Sequence, residues 1–198
     1  MSVSEQVIRA AYTDHTVRVY QAYGPEIALP AIEYGRFVPP FSLQRMTWIK
    51  PSFNWMMYRS GYATKPKQEI VLGIDITREG FEWALKNGVL SKFTPSVHAS
   101  YDEWKNLLAT KPVRIQWDPE RDWRLRPIAG VRAIQLGLSG EAIHRYVNQW
   151  IAQIENVTPT ARMLAADAEN FDIPPLLPSS FERPYPIDAA IMAAICLD

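Results

Sequence analysis

Apolar and polar positions along the chain switch between a period of two and a period near 3.6. VRVYQAY (17–23) is rich in β-branched and aromatic residues, so it predicts a strand. Gly24-Pro25 breaks it, and a helix follows to about Tyr34, stopped by Gly35. Pro30 inside that span requires either a kink or a later start. FVPPF (37–41) reads as a loop or extended run. In RMTWIKPSFNWMMYRSGY (45–62), Pro51 forces Lys50 to be extended, and Ser52 then caps a short helix from Phe53 to Ser60, closed by Gly61. Phe53, Met56, Met57 and Ser60 share one face of that helix and read as core.

Past the basic loop KPKQ (65–68), IVLGIDI (70–76) is nearly all apolar apart from Gly73 and Asp75, as expected for a central strand. Thr77 caps a helix through about Asn87, ended by Gly88. Ser100 and Glu103 form a capping box. VRIQW (113–117) predicts a strand, DPERD (118–122) a turn, WRLRP an edge strand or loop, and VRAIQLGL (131–138) another strand. Ser139 is read as the cap of the clearest helix, whose stripe is Ile143, Tyr146, Val147, Trp150, Ile151 and Ile154. IPPLLPSSFERPYP (173–186) carries five prolines and predicts a wrap without regular structure, followed by a short docking helix in IDAAIMAAICLD. Interleaved strands and helices give an α+β (or α/β) class, with a single compact mixed-sheet domain over residues 1–158 and a Pro-rich C-terminal extension, 159–198, packed upon it.

Composition narrows the partners. At 198 residues, with 47% hydrophobic and 21% charged positions, the chain can bury a core without staples. Formal net charge is zero, so a polyanion site must be a local patch. The single cysteine, Cys196, excludes an internal disulfide and a cysteine-based zinc site. MSVSEQVIRAAY lacks a signal-peptide pattern, and no apolar run approaches the roughly 20 residues of a membrane span, so a cytoplasmic protein is expected. Seven Trp and nine Tyr are many for this length and suit either cores or pockets for flat ligands.

The common chemical motifs are missing: no GxGxxG, no GxxxxGK[ST], no HExxH. His15, His98 and His144 are scattered and give no metal motif. The region around Lys50 is richer. Lys50 precedes a helix whose free N–H groups favour anions, and with Ser52 and Arg45 it outlines a phosphate subsite. Trp48 and Trp55 would flank a ring. The alternative is that the aromatics are core and Lys50 snorkels to water. A second basic run holds Arg114, Arg121, Arg124, Arg126 and Arg132, interspersed with Asp118, Glu120 and Asp122. It serves either as phosphate forks, with Arg124 and Arg126 projecting together, or as surface ion pairs. Gln116 and Gln135 lie inside apolar strands, each a satisfied core amide or a ligand contact. Asp75, also inside an apolar strand, is a partnered core acid or a functional one.

VRVYQAYGPEIA, GRFVPPF, RMTWIKPSFNWMMYRSGYATK, IDITREGFEWAL, QWDPERD and IQLGLSGEAI together resemble the DUF4291 family, from about Arg9 to Val157. That resemblance implies no particular chemistry. The order strand, helix, Gly and aromatic is also similar to the opening of ADP-ribosyltransferase-like folds. This second resemblance implies an NAD site in which Gln21, or Arg18 beside it, replaces the first-strand His or Arg, and Gln135 replaces the catalytic Glu. Lys50, Arg59 and Arg132 would clamp phosphates, and Tyr23 and Trp48 would stack. Gln135 cannot act as a base, so chemistry centred on phosphate, with Arg and Lys as stabilisers, fits better than classical ADP-ribosylation.

The expected function is a nucleotide- or NAD-binding transferase-like protein acting on a phosphate or ribose group, RNA included. One alternative is RNA ligase-like nucleotidyl transfer from ATP through Lys50, although Pro-Ser-Phe follows this lysine where x-Asp-Gly would be expected. The other is a non-catalytic module that holds a nucleotide or RNA end.

Overall fold

The computed structural model describes residues 5–167 and 176–196. Short β1 (Glu5–Gln6) and β2 (Arg9–Ala10) lead into β3 (Thr16–Tyr23), α1 (Pro25–Tyr34), β4 (Thr47–Ile49) and α2 (Phe53–Ser60). Then come β5 (Ile70–Thr77), α3 (Arg78–Lys86), β6 (Gly88–Leu90), α4 (Tyr101–Thr110), β7 (Val113–Arg121) and β8 (Pro127–Leu138). The chain continues with α5 (Glu141–Arg145), a π-helical turn (Tyr146–Trp150), β9 (Ile151–Asn156) and α6 (Thr158–Asp167). A 3-10 turn (Pro178–Phe181), β10 (Arg183–Pro184) and α7 (Ala189–Ile195) finish it. This is a mixed α/β domain with separate sheets.

One sheet runs β1-β8-β7-β6, with β4 paired antiparallel to β8. A second runs β3-β5-β9, all antiparallel, and β2 pairs antiparallel with β10 in a small third sheet. β5 is central to the second sheet, and Val71, Leu72, Ile74 and Ile76 are buried in it, as its largely apolar run requires. The first two sheets meet at one backbone bridge, Tyr20 to Lys50, where the Tyr20 N–H donates to the Lys50 carbonyl at 2.8 Å. Beyond it β3 and β4 part.

The larger apolar cluster includes Val17, Val19, Ile74, Phe81, Ile115, Trp117, Leu136, Ile143, Tyr146 and Trp150. A second lies under α2 and α6: Tyr20, Phe53, Met56, Met57, Val71, Ala161 and Leu164. Residues of the C-terminal stretch enter both, Tyr185 and Ile195 the first and Leu177 the second.

Several sequence expectations are corrected. α1 includes Pro30 and still starts at Pro25; the carbonyl that loses its partner belongs to Glu26, an exposed residue that water can serve. Asp118 and Pro119 do not turn. β7 continues through Arg121, with a register irregularity between Pro119 and Arg121 that absorbs the proline, and the reversal lies at residues 122–126. Arg124 and Arg126 therefore belong to that reversal rather than to a strand.

Ser139 does not cap a helix, because its hydroxyl donates to the Pro112 carbonyl at 3.1 Å and Gly140 takes the cap position. The helix it was read to start ends at Trp150, and Ile151 and Ile154 lie in β9. Asp75 pairs with Gln153 while Ile76 pairs with Ile151, so Ala152 is an extra residue, a β-bulge. A bulge puts residues three apart on one face, which imitates the i, i+3 spacing of a helix. α6, with Ala161 and Leu164 buried, lies in the stretch read as a Pro-rich extension. Of the Pro-rich run, residues 173–175 lie outside the described residues; the rest forms the 3-10 turn, β10 and an extended link.

Candidate functional site

A cavity of about 520 Å³ opens where β3 and β4 diverge. Sheet alternation sets its floor. Ile115, Trp117, Ile134 and Leu136 are buried in the core, so their neighbours in sequence face the other way. Of those neighbours Gln135 lines the cavity, with Trp48 from β4 and Lys50 just after it, whereas Asp118 and Gln116 are linked to it through Lys50. α2 supplies Trp55, Met56 and Arg59, the following loop Lys67 and Gln68, and the stretch before β4 Arg45 and Met46. Gly137 makes room at the edge: a Cβ there would lie 2.8 Å from Met46 Sδ and 2.9 Å from the Trp48 ring. The absence of that carbon lets the indole lie against β8.

Eight residues singled out from the sequence line this one cavity: Gln21, Tyr23, Arg45, Trp48, Lys50, Trp55, Arg59 and Gln135. Arg18, Arg132 and Ser52 do not. Arg18 forms a bidentate pair with Asp75 (2.6 and 2.8 Å) and also donates to Glu155, on the wall of a different hollow. Asp75 is thus a partnered core acid. Arg132 lies by the Pro119–Pro127 end of the β7/β8 hairpin, away from the cavity. Ser52 is buried and donates to Glu120 Oε1 at 2.7 Å while its oxygen accepts from the Trp55 N–H, the expected helix cap. The anion site foreseen at the entrance of α2 is filled from within, since the Phe53 N–H donates to Glu182 Oε1 at 2.7 Å.

Gln21 is fully engaged. Its Nε2 lies 2.8 Å from Thr47 Oγ1, 2.9 Å from the Tyr23 hydroxyl and 3.0 Å from the Trp48 carbonyl, and its Oε1 accepts from the Tyr146 hydroxyl at 2.7 Å. The amide replaces the ladder bond that β3 and β4 lose as they part. Burial pushes the Tyr23 hydroxyl up to about 12 and Tyr146 well above its ordinary value, so both stay neutral donors.

Lys50 is 1% exposed. Its Nζ donates to Asp118 Oδ2 at 2.6 Å and lies 3.7 Å from the centre of the Trp55 ring. Burial lowers the amine to about 8, against the pull of Asp118 and Glu120, and with a push from Arg121. Gln116 holds the other oxygen, Asp118 Oδ1, at 2.8 Å. Above this couple, Arg45 and the Gln135 amide have no hydrogen-bonding partner among the described residues, and Arg59 donates to Gln68 Oε1 at 2.8 Å. The lining holds Arg45, Lys50, Arg59 and Lys67 and, among the described residues, no carboxylate.

The DPERD turn and the surface ion pairs expected for residues 118–122 conceal Asp118 as the partner of Lys50, although VRIQWD already alternates through it. Lys67 belonged to a run read only as loop. Among the described residues no group of His, Cys, Asp or Glu could hold a metal ion, and no helix is long and apolar enough to cross a membrane.

Residues 7–183 match the model of a family described as Domain of unknown function (DUF4291). No curated protein matches the chain.

Proposed function

The chain belongs to the DUF4291 family, and from its own site we propose that it binds a nucleotide and acts, transferase-like, on a phosphate or ribose group. One observation carries this reading: Arg45, Arg59 and Lys67, two indoles and, among the described residues, no lining carboxylate share one cavity on a chain of zero net charge, with the Lys50 amine beside them paired to Asp118. Such a lining attracts phosphate and offers flat faces to a base. In this reading Arg45, Arg59 and Lys67 hold phosphates at the mouth. Trp48 and Trp55 border the ring, and the free Gln135 amide meets a ribose or base edge.

The ADP-ribosyltransferase-like form of the idea, with NAD as ligand, keeps Gln135 in its role and loses Gln21, whose amide is committed to β4 and Tyr146. A second reading is favoured by Lys50. An amine lowered to about 8 in a phosphate-binding cavity has a neutral fraction at physiological pH, as covalent nucleotidyl transfer from ATP or GTP requires.

A thermal-shift series with NAD, ATP, GTP and a 5′-phosphorylated RNA separates these forms. Ligand at 100 times its Kd stabilises the fold by about 2.7 kcal/mol. A response to NAD alone supports the transferase reading, and ATP or GTP alone favours Lys50 transfer. A flat response to all four removes the nucleotide site.

A further inference from the structure

A second set of cations and rings begins where the cavity ends. Arg59 lines the cavity, and its neighbour on α2, Tyr58, is 43% exposed. Two cations from different parts of the chain meet the Tyr58 ring: Lys65 Nζ at 5.7 Å, from the loop after α2, and Arg121 Cζ at 3.7 Å, from the end of β7. Arg124 continues the series over Trp123, at 4.4 Å. Arg126 adds little, because Asp122 neutralises it at 2.8 Å. Arg121 lies on β7 three residues past Asp118, the partner of Lys50 in the cavity. These groups follow one another from Lys67 and Arg59, over Tyr58 and Lys65, to Arg121 and the β7/β8 reversal, where Arg121 and Trp123 share a hollow with Glu120 and Asp122.

A free mononucleotide has no use for this track. Alternating aromatic rings and cations suit a flexible chain of phosphates and bases, with bases stacked on rings or guanidinium planes and phosphates beside the cations. Resting on the nucleotide reading of the cavity, we infer that the substrate is the end of a single-stranded polynucleotide: its terminal phosphorylated nucleotide enters the cavity and the next nucleotides lie across Tyr58 and Arg121. The cavity supplies chemistry on the end, and the track supplies affinity for the strand behind it.

Binding of 5′-AMP, of 3′-AMP, and of single-stranded RNA and DNA decamers phosphorylated at either end, measured by fluorescence or calorimetry, tests this. A phosphorylated decamer should bind roughly tenfold or more tighter than the matching mononucleotide. Tyr58→Ala and Arg121→Ala should abolish that difference, and Tyr58→Ala should leave mononucleotide affinity unchanged. Lys65→Ala, at an exposed site, gives a partial loss and guards against misfolding of the Arg121 variant. The decamer's affinity should also fall with added salt more steeply than the mononucleotide's. Whichever of RNA or DNA binds tighter identifies the sugar. A decamer no tighter than its mononucleotide, or equal displacement by polyglutamate, overturns the track while leaving the cavity reading intact. Decamer binding with no mononucleotide binding has the opposite meaning: the track stands and the cavity reading falls.

Discussion

The Lys50 amine and the Asp118 carboxylate lie 2.6 Å apart, with the lysine 1% exposed and the aspartate 14% exposed. The pair is asymmetric. Lys50 depends on Asp118 for its charge, whereas Asp118 also has Gln116 and some contact with water. Asp118→Asn strands a buried ammonium and should destabilise the fold by about 3 kcal/mol at pH 7. Lys50→Met keeps the apolar stem under Trp55 and should cost clearly less. Urea unfolding of both variants at pH 7 checks the order. Equal losses would mean that the ion pair does not govern this part of the fold.

The pH dependence of stability should turn near pH 8, because two groups reach that value from opposite sides. Burial raises Glu182 from 4.5 to about 8, so the folded state holds a proton that the unfolded state has lost. Its contribution is full below pH 4.5 and lost as pH climbs to 8. Burial lowers Lys50 from 10.5 to about 8, so between these values the unfolded state binds the extra proton and stability rises with pH. Comparing wild type with Glu182→Gln should isolate the falling limb, and with Lys50→Met the rising one. A difference curve that stays flat from pH 5 to 8 for Glu182→Gln would show that its carboxyl is ordinary.

Gln21→Leu should act on stability rather than on chemistry alone. It leaves the Trp48 carbonyl, the Thr47 hydroxyl and the Tyr146 hydroxyl without the amide they share, and should cost roughly 3 kcal/mol or more. The midpoint of thermal unfolding reads this directly. A variant as stable as wild type but inactive would return Gln21 to a catalytic role.

Arg45→Ala should behave in the reverse way. The side chain is exposed and has no partner among the described residues, so its removal should leave unfolding unchanged. Nucleotide affinity should drop about ten- to a hundredfold, the loss of one charge-assisted hydrogen bond. Calorimetry that finds the same Kd in both proteins takes Arg45 out of the site.

The local signals in the sequence were strongest where one residue type does one job. Ser52, Pro51 and Gly61 bounded α2 to the residue, and the largely apolar run of β5, broken only by Gly73 and Asp75, identified the central strand. What failed was pattern under irregularity. The bulge at Ala152 gave β9 a helical spacing, and the turn expected over DPERD hid the stretch of strand that carries Asp118. Much of the cavity lining was legible because lysine, arginine and tryptophan crowd into 45–62. The internal partners were not, since Glu182 meets Phe53 across 129 residues and Tyr146 meets Gln21 across 125. Such pairings depend on the folded topology and leave no local periodicity.

Gln21 also decides how the cavity responds to its contents. Two strands that part from a single bridge could close together by sliding into register, and the hollow would then exist only while something propped it open. The Gln21 amide stands between them as a spacer, bonded on one side to β4 and on the other to Tyr146, so the gap is held by the protein's own atoms. A molecule arriving there finds the walls already set apart. Its dissociation constant then reports the contacts it makes, with no share of the free energy diverted to opening the door.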